Sequence, residues 1–318
     1  MHDRFDGFLL AYFGNGTGPH AEQVRFAVTP GREPETWIPL NGGRPVVRSD
    51  VGQRGVRDPF ILRDAARERF VLLATDLRTY PDADWARAVR HGSQSIVVWE
   101  SNDLVHWSDS RLVAVAPPDA GNAWAPKAFW SQEQDAWLVF FASALYENAE
   151  RRDEEHQRIL VTETRDFARF SPPVTYLDPG HDVIDATFLE WHDEVSRFTA
   201  DSLTNRPGEK WRFVSQERGT ALTTTEWRPV ARDLGASSQR HAEGPAPFTS
   251  LDDDLAYLLL DEFELRGYQL YRSRSPHDAE WEHVANTRLP EGARHGSVIS
   301  ITAAERARLL TAYPESDL

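Results

Sequence analysis

The chain has no cysteine in its 318 residues and a single methionine. Without thiols there is no disulfide framework, no thiolate zinc site and no cysteine nucleophile. Positive charge is also scarce, with 35 Lys and Arg against 50 Asp and Glu, a formal net charge of −15. An acidic surface repels phosphate backbones and anionic headgroups, so neither nucleic acid nor a membrane is the expected partner. Long apolar runs are missing as well. The run 8–13 stops at Gly14, which is too short for a secretory h-region or for the roughly 20 residues of a membrane span. A cytoplasmic location and a neutral partner are the resulting expectations.

Aromatic residues are plentiful, at 11% of the chain with eleven Trp, and 40% of the residues are apolar. That is ample for a packed core. The aromatics are also phased. Trp37, Trp107, Phe170, Trp227 and Trp281 each close a turn-rich stretch, and they lie 70, 63, 57 and 54 residues apart. Before each comes a Ser/Thr-containing or similar strand, at 23–28, 95–100, 158–163, 211–215 and 268–273. Apolar strands at 70–75, 137–143, 197–201 and 255–261 precede the last four of these.

A further set of strands opens on polar or aromatic heads: Arg57-Asp58-Pro59, Trp124-Ala125-Pro126, Ile184-Asp185-Ala186, Glu243-Gly244-Pro245 and Arg294-His295-Gly296. Gly and Pro set these heads at element ends rather than on solvated faces. Short strands recurring at this period indicate radial repetition, a propeller of four-stranded blades. A ring of six or seven blades would need about 40 to 45 residues per blade, fewer than the observed spacings, so five are expected. The strand 295–301 has no partners after it and the strand 7–13 has no head before it. The two termini should therefore share one blade, giving a single all-β domain over 1–318 with a short helix at 303–310.

In such a ring the inner strands start at one mouth of the central channel. Asp58, Asp185 and Glu243 then face one another there, with Trp124 and His295 completing the circle. Three crowded carboxyls cannot all ionise freely, and at least one is pushed toward holding its proton near neutrality. Glycosidic hydrolysis uses that division, with one carboxylic acid protonating the leaving oxygen and one carboxylate activating water.

These five heads, in order and at blade spacing, resemble glycoside hydrolase family 43, the five-bladed propeller arabinofuranosidases and xylosidases. The resemblance implies an oligosaccharide substrate and release of α-L-arabinofuranose or β-D-xylose by an inverting, exo-acting enzyme. It further implies that Asp58 is the general base, Glu243 the general acid and Asp185 the residue that tunes and orients the acid. His295 matches a channel histidine, with an ion bound through water, a structural Ca2+ in the central channel, as an implied companion; no cofactor is implied for the chemistry itself. Arg57, Trp124, Arg240 and Arg294 are candidate substrate contacts, although the arginines equally suit ion pairs with the carboxylates. Lys127 and the pair Ala200-Asp201 depart from the family pattern. Two other functions stay open on the residues alone: a carbohydrate-binding propeller without turnover, and a phosphorylase using Arg57, Arg240, His241 and Arg294.

Overall fold

The computed structural model describes residues 4–14, 18, 20–202, 213–252 and 254–314. Its strands fall into five four-stranded antiparallel sheets. The first three strands, β1 (Phe5–Gly14), β2 (Val24–Val28) and β3 (Ile38–Pro39), join the last, β20 (Ala293–Thr302), in one sheet of order β20-β1-β2-β3. The other blades are consecutive in sequence. β4 (Val56–Asp64), β5 (Arg69–Asp76), β6 (Ser95–Ser101) and β7 (Arg111–Ala114) make the first, and β8 (Trp124–Ser131), β9 (Ala136–Ala144), β10 (Gln157–Thr164) and β11 (Val174–Leu177) the second. The third is β12 (Val183–Trp191), β13 (Glu194–Asp201), β14 (Phe213–Gly219) and β15 (Arg228–Leu234). The fourth is β16 (Glu243–Thr249), β17 (Ala256–Glu262), β18 (Gly267–Ser273) and β19 (Glu282–His283). Of the expected strand 211–215, Trp211 and Arg212 lie outside the described residues.

Pairing of β1 with β20 closes the ring by hydrogen bonds between the two ends of the chain. Closure removes the exposed sheet edge that an open ring would carry. Strands inside the ring are apolar on both sides because each blade is covered by two neighbours. β17 is buried along its whole length, whereas the outer strand β7 alternates between partly buried and exposed.

Five hydrophobic clusters fill the five gaps between blades. Leu9, Phe26 and Ile301 of the terminal blade, for example, meet Ile61, Leu72 and Trp99 of the first. Each phased aromatic packs against the blade before its own. Trp107 lies 5.9 Å from Phe26 and Trp281 lies 6.0 Å from Phe198, measured between ring centroids, and Trp227 packs in the cluster that holds Leu138 and Phe140 of the second blade. The recurrence that marks the repeats in the sequence is thus the adhesive between them.

The tail is the helix α2 (Ala303–Ala312), capped by Thr302 and Glu305 in a reciprocal capping box. Glu305 also takes both Arg63 guanidinium nitrogens, at 2.7 and 2.9 Å. Among the described residues no helix is long and apolar enough to cross a membrane.

One backbone device repeats around the channel. Each inner strand has a register break just after its start: between Arg57 and Phe60, Trp124 and Lys127, Ile184 and Thr187, Glu243 and Ala246, and, on β20, around His295. In four of them the bulged residue has positive φ: Asp58 at 52°, Ala125 at 51°, Asp185 at 60° and Gly244 at 55°. For a residue with a Cβ this conformation costs on the order of 1–2 kcal/mol. Such bulges re-aim side chains at the rims of closed sheets, next to sites of chemistry.

Candidate active site

The bulges place Asp58, Ala125, Asp185, Gly244 and His295 at equivalent positions around the mouth. Glu243 stands one residue earlier, in register with Arg57, Trp124 and Arg294. The offset has a steric cause. A Cβ on Gly244 would lie 2.6 Å from the His295 ring, so no side chain fits at the bulge of the fourth blade. Its carboxylate comes from the preceding residue instead.

His295 is the hub of the cluster. Nδ1 is 3.2 Å from Asp58 Oδ1 and 3.7 Å from Asp185 Oδ2; Nε2 is 2.9 Å from Glu243 Oε1 and 3.3 Å from Asp261 Oδ2. Burial pulls its pKa down, but the charges of Asp185 and Glu243 and the hydrogen bonds to Asp58 and Glu243 raise it to about 10. That direction favours the imidazolium at neutral pH.

The three predicted carboxylates do meet here. Asp58 Oδ2 accepts from the Thr75 hydroxyl at 2.7 Å, and Thr75 Oγ1 accepts from Ala125 N–H at 2.7 Å, which ties the first blade to the second. Burial raises the Asp58 pKa, but the hydrogen bond and charge of His295, the charge of Arg57 and the Thr75 hydroxyl together hold it well below the usual carboxylate range. Asp185 Oδ2 accepts the Gly244 N–H at 3.0 Å. Burial above all, with the charges of Glu243 and Asp58, pushes its pKa up against the attraction of His295. Glu243 Oε1 receives Arg294 Nη2 at 2.8 Å.

Two members of the cluster escape sequence reasoning. Asp261, at the end of β17, is in register with Glu243 and fully buried; its Oδ2 accepts Arg294 Nε at 2.6 Å and its Oδ1 has no hydrogen-bond partner among the described residues. Burial raises its pKa despite Arg294 and His295. The available signal was an acid closing the apolar run 258–260 directly opposite a head. Tyr268 is the second. Its hydroxyl donates to Gly244 O at 3.1 Å and accepts Gly296 N–H at 2.5 Å, binding the fourth blade to the terminal one.

The other candidates separate. Arg294 is buried and held by Glu243 and Asp261. Arg57 is at the mouth but paired with Glu22 Oε1 at 3.0 Å, and it lies over the rings of Phe13 and Trp85, 4.6 and 5.0 Å from their centroids. Trp124 is at the mouth, partly buried, with the Trp85 ring edge-on at 6.2 Å. Arg240 is exposed; its backbone N–H donates to Glu262 Oε1 at 2.7 Å, and among the described residues no ion pair joins its guanidinium to the cluster. His241 is turned to the Phe263 carbonyl. Lys127, the departure on β8, is buried one layer down the channel, its ammonium 5.4 Å from the Phe60 ring; burial lowers its pKa against the attraction of Asp58 and Asp185. Asp201 accepts from His181 Nε2 at 2.8 Å.

Asp185, Glu243 and His295 each present a ligating atom, all within 4.8 Å of one another. Both imidazole nitrogens already face carboxylate oxygens, however, and a protonated ring has no lone pair for a metal. The donor set as arranged fits the imidazolium, not a directly bound cation. A cavity of about 820 Å³ opens at the opposite end of the channel, lined by Leu62, Ser131, Glu190 and Thr249 among others and by none of the three carboxylates.

With this geometry in hand, similarity to known proteins is informative. Residues 3–307 match a family model described as a probable glycosyl hydrolase domain, of the family 43-related type. An α-L-arabinofuranosidase of Bifidobacterium longum subsp. longum is 26% identical over 289 residues, covering 80% of this chain and 27% of that protein. The chain thus spans about a quarter of the length of that relative. The fold is similar to a Penicillium chrysogenum α-L-arabinanase solved with arabinobiose, at TM-score 0.56 and 13% identity over 91% of this chain and 79% of that one. It is also similar to a thermostable family 43 glycoside hydrolase, at TM-score 0.54 and 15% identity over 76% of this chain and 78% of that one.

Proposed function

The chain belongs to the family 43-related glycosyl hydrolases, whose model spans residues 3–307, and from that membership we propose that it is an inverting, exo-acting glycosidase releasing α-L-arabinofuranose or β-D-xylose from oligosaccharides. One observation carries the reading: Asp58, Asp185 and Glu243, from three different blades, converge on His295 at one mouth of the channel.

Asp58, held ionised, is the base that takes a proton from water. Glu243 is the acid. Its side chain is 13% exposed, against 10% for Asp58, 5% for Asp185 and 0% for Asp261, so among the four carboxyls it reaches furthest toward a substrate. The proton it delivers has a source one hydrogen bond away, at His295 Nε2. Asp185, bonded to the backbone of Gly244, fixes the position of the acid's neighbour, and when ionised it offsets part of the pull of Arg294 and His295 toward the ionised acid.

Asp58 and Glu243 bond to opposite nitrogens of one imidazole. The ring thus stands between the two carboxyls, an arrangement that suits the wider spacing of a single-displacement pair, roughly 6.5–9.5 Å, better than the roughly 5 Å of a retaining pair. The low exposure of the carboxyls suits a chain end entering the mouth rather than a chain running across it, hence exo action. No step of this reading uses a metal ion.

The phosphorolytic alternative needs a basic pocket open to phosphate. It is not favoured, because Arg57 and Arg294 are already engaged by carboxylates. A panel of nitrophenyl pentosides and hexosides, assayed with and without phosphate, tests the proposal. Hydrolysis of the arabinofuranoside or xyloside that is indifferent to phosphate is expected; saccharide binding without turnover, or turnover only with phosphate, would overturn it.

A further inference from the structure

The connection between β5 and β6, residues 77–94, lies at the mouth that holds the carboxylates and carries the short helix α1 (Trp85–Arg90). This connection is clamped. Glu22, itself buried, accepts the N–H and the hydroxyl of Thr79 and the N–H of Tyr80, at 2.7 to 3.1 Å, together with Arg57. Asp84 caps α1 through Arg87 N–H at 2.9 Å. At the other end Arg151, from the β9–β10 loop, donates to Arg90 O at 2.8 Å, and Gly92 N–H donates to Gly121 O at 2.8 Å.

On this fixed segment Trp85 remains 46% exposed. Its ring has the Arg57 guanidinium 5.0 Å from its centroid and Trp124 edge-on at 6.2 Å, with the planes at 83°. A cation and a second indole set the orientation of the ring while nearly half of its surface stays in water. The same Arg57 precedes Asp58 in the chain, and the same Trp124 precedes Ala125, whose N–H is bonded through Thr75 to Asp58. The indole therefore adjoins the base side of the cluster and is coupled to it through short, hydrogen-bonded backbone.

Leaving an indole wet forgoes apolar burial, which a flat partner recovers, and a ring already held in place loses little further entropy when that partner binds. We propose that Trp85, backed by Arg57 and flanked by Trp124, is a platform for one sugar ring of the oligosaccharide substrate, its open face covering the C–H groups of the ring. The inference rests on the glycosidase reading and adds a binding residue to it. Aromatic platforms lose little entropy on binding because few torsions need to be fixed.

The test is calorimetric titration of arabino- and xylo-oligosaccharides, from disaccharide to tetrasaccharide, into protein carrying Glu243→Gln, alone and combined with Trp85→Leu or Trp85→Phe. Leu keeps an apolar cover on Trp124 but offers no flat face. Trp85→Leu should weaken binding about tenfold, the scale of one aromatic contact, with the thermal midpoint unchanged, and Trp85→Phe should retain most of the affinity. Equal affinity with Trp and Leu at this position would overturn the platform and leave the glycosidase reading intact. Failure of the Glu243→Gln protein with Trp85 intact to bind any saccharide of the panel would contradict the glycosidase reading itself.

Discussion

Glu243 and Asp261 face each other across the β16–β17 ladder, and one guanidinium is bonded to both: Arg294 reaches Glu243 Oε1 with Nη2 at 2.8 Å and Asp261 Oδ2 with Nε at 2.6 Å. Glu243, the proposed acid, is therefore held by an arginine whose second partner is fully buried. Asp261→Asn should leave Arg294 short of one counter-charge and shift it toward Glu243. Removing one member of a buried ion pair costs about 3–5 kcal/mol, so a lower urea midpoint and a lower kcat/KM are expected together. Unchanged stability would mean that Asp261 is already neutral in the folded protein.

Glu243→Gln should lower kcat/KM on natural glycosides by about 10² to 10⁴, the usual contribution of a general acid. Aryl glycosides with good leaving groups need less protonation and should lose less. Equal losses across leaving groups would remove Glu243 from the acid's role.

His295 gives a pH dependence whose sign follows from its raised pKa. A histidine at about 6.5 in the unfolded chain and about 10 in the fold contributes stability that is fully present below pH 6.5 and is lost as pH rises through 10. Chemical denaturation of the wild type should therefore weaken between pH 7 and 10, by a few kcal/mol at most. His295→Gln should flatten that slope. The same slope in wild type and variant would show that another group carries it.

Gly244→Ala meets both a left-handed backbone, φ 55°, and the His295 ring 2.6 Å from the added Cβ. Strain of this kind costs on the order of 1–3 kcal/mol, and here it also displaces the hub. Activity should fall by more than the loss of folded protein explains, as judged by kcat on material shown by circular dichroism to be folded.

The repeats are legible in the sequence because their cause is local. Pro and Gly mark the bulges after Asp58, Trp124 and Glu243, and the aromatics from Trp37 to Trp281 recur because each must reach back to the preceding blade. What depends on two blades at once is not legible. The one-residue offset of Glu243 follows from the His295 ring filling the place of a side chain on Gly244, a contact 51 residues apart in the chain. Asp261 looks like a turn acid until its strand is paired with β16. Arg240 is three residues from Glu243 in sequence, yet it precedes the strand and is exposed. Trp85 lies in a stretch with no repeat counterpart, and only the fold brings it to Trp124.

The most direct test of the central claim is the anomeric configuration of the sugar first released from an α-L-arabinofuranoside or β-D-xyloside, followed by proton NMR before mutarotation. With Asp58 as base and Glu243 as acid on either side of a single displacement, the new anomer should be inverted, and Asp58→Asn should abolish its appearance without azide forming a retained adduct. Release of the anomer with the configuration of the substrate would contradict the assignment.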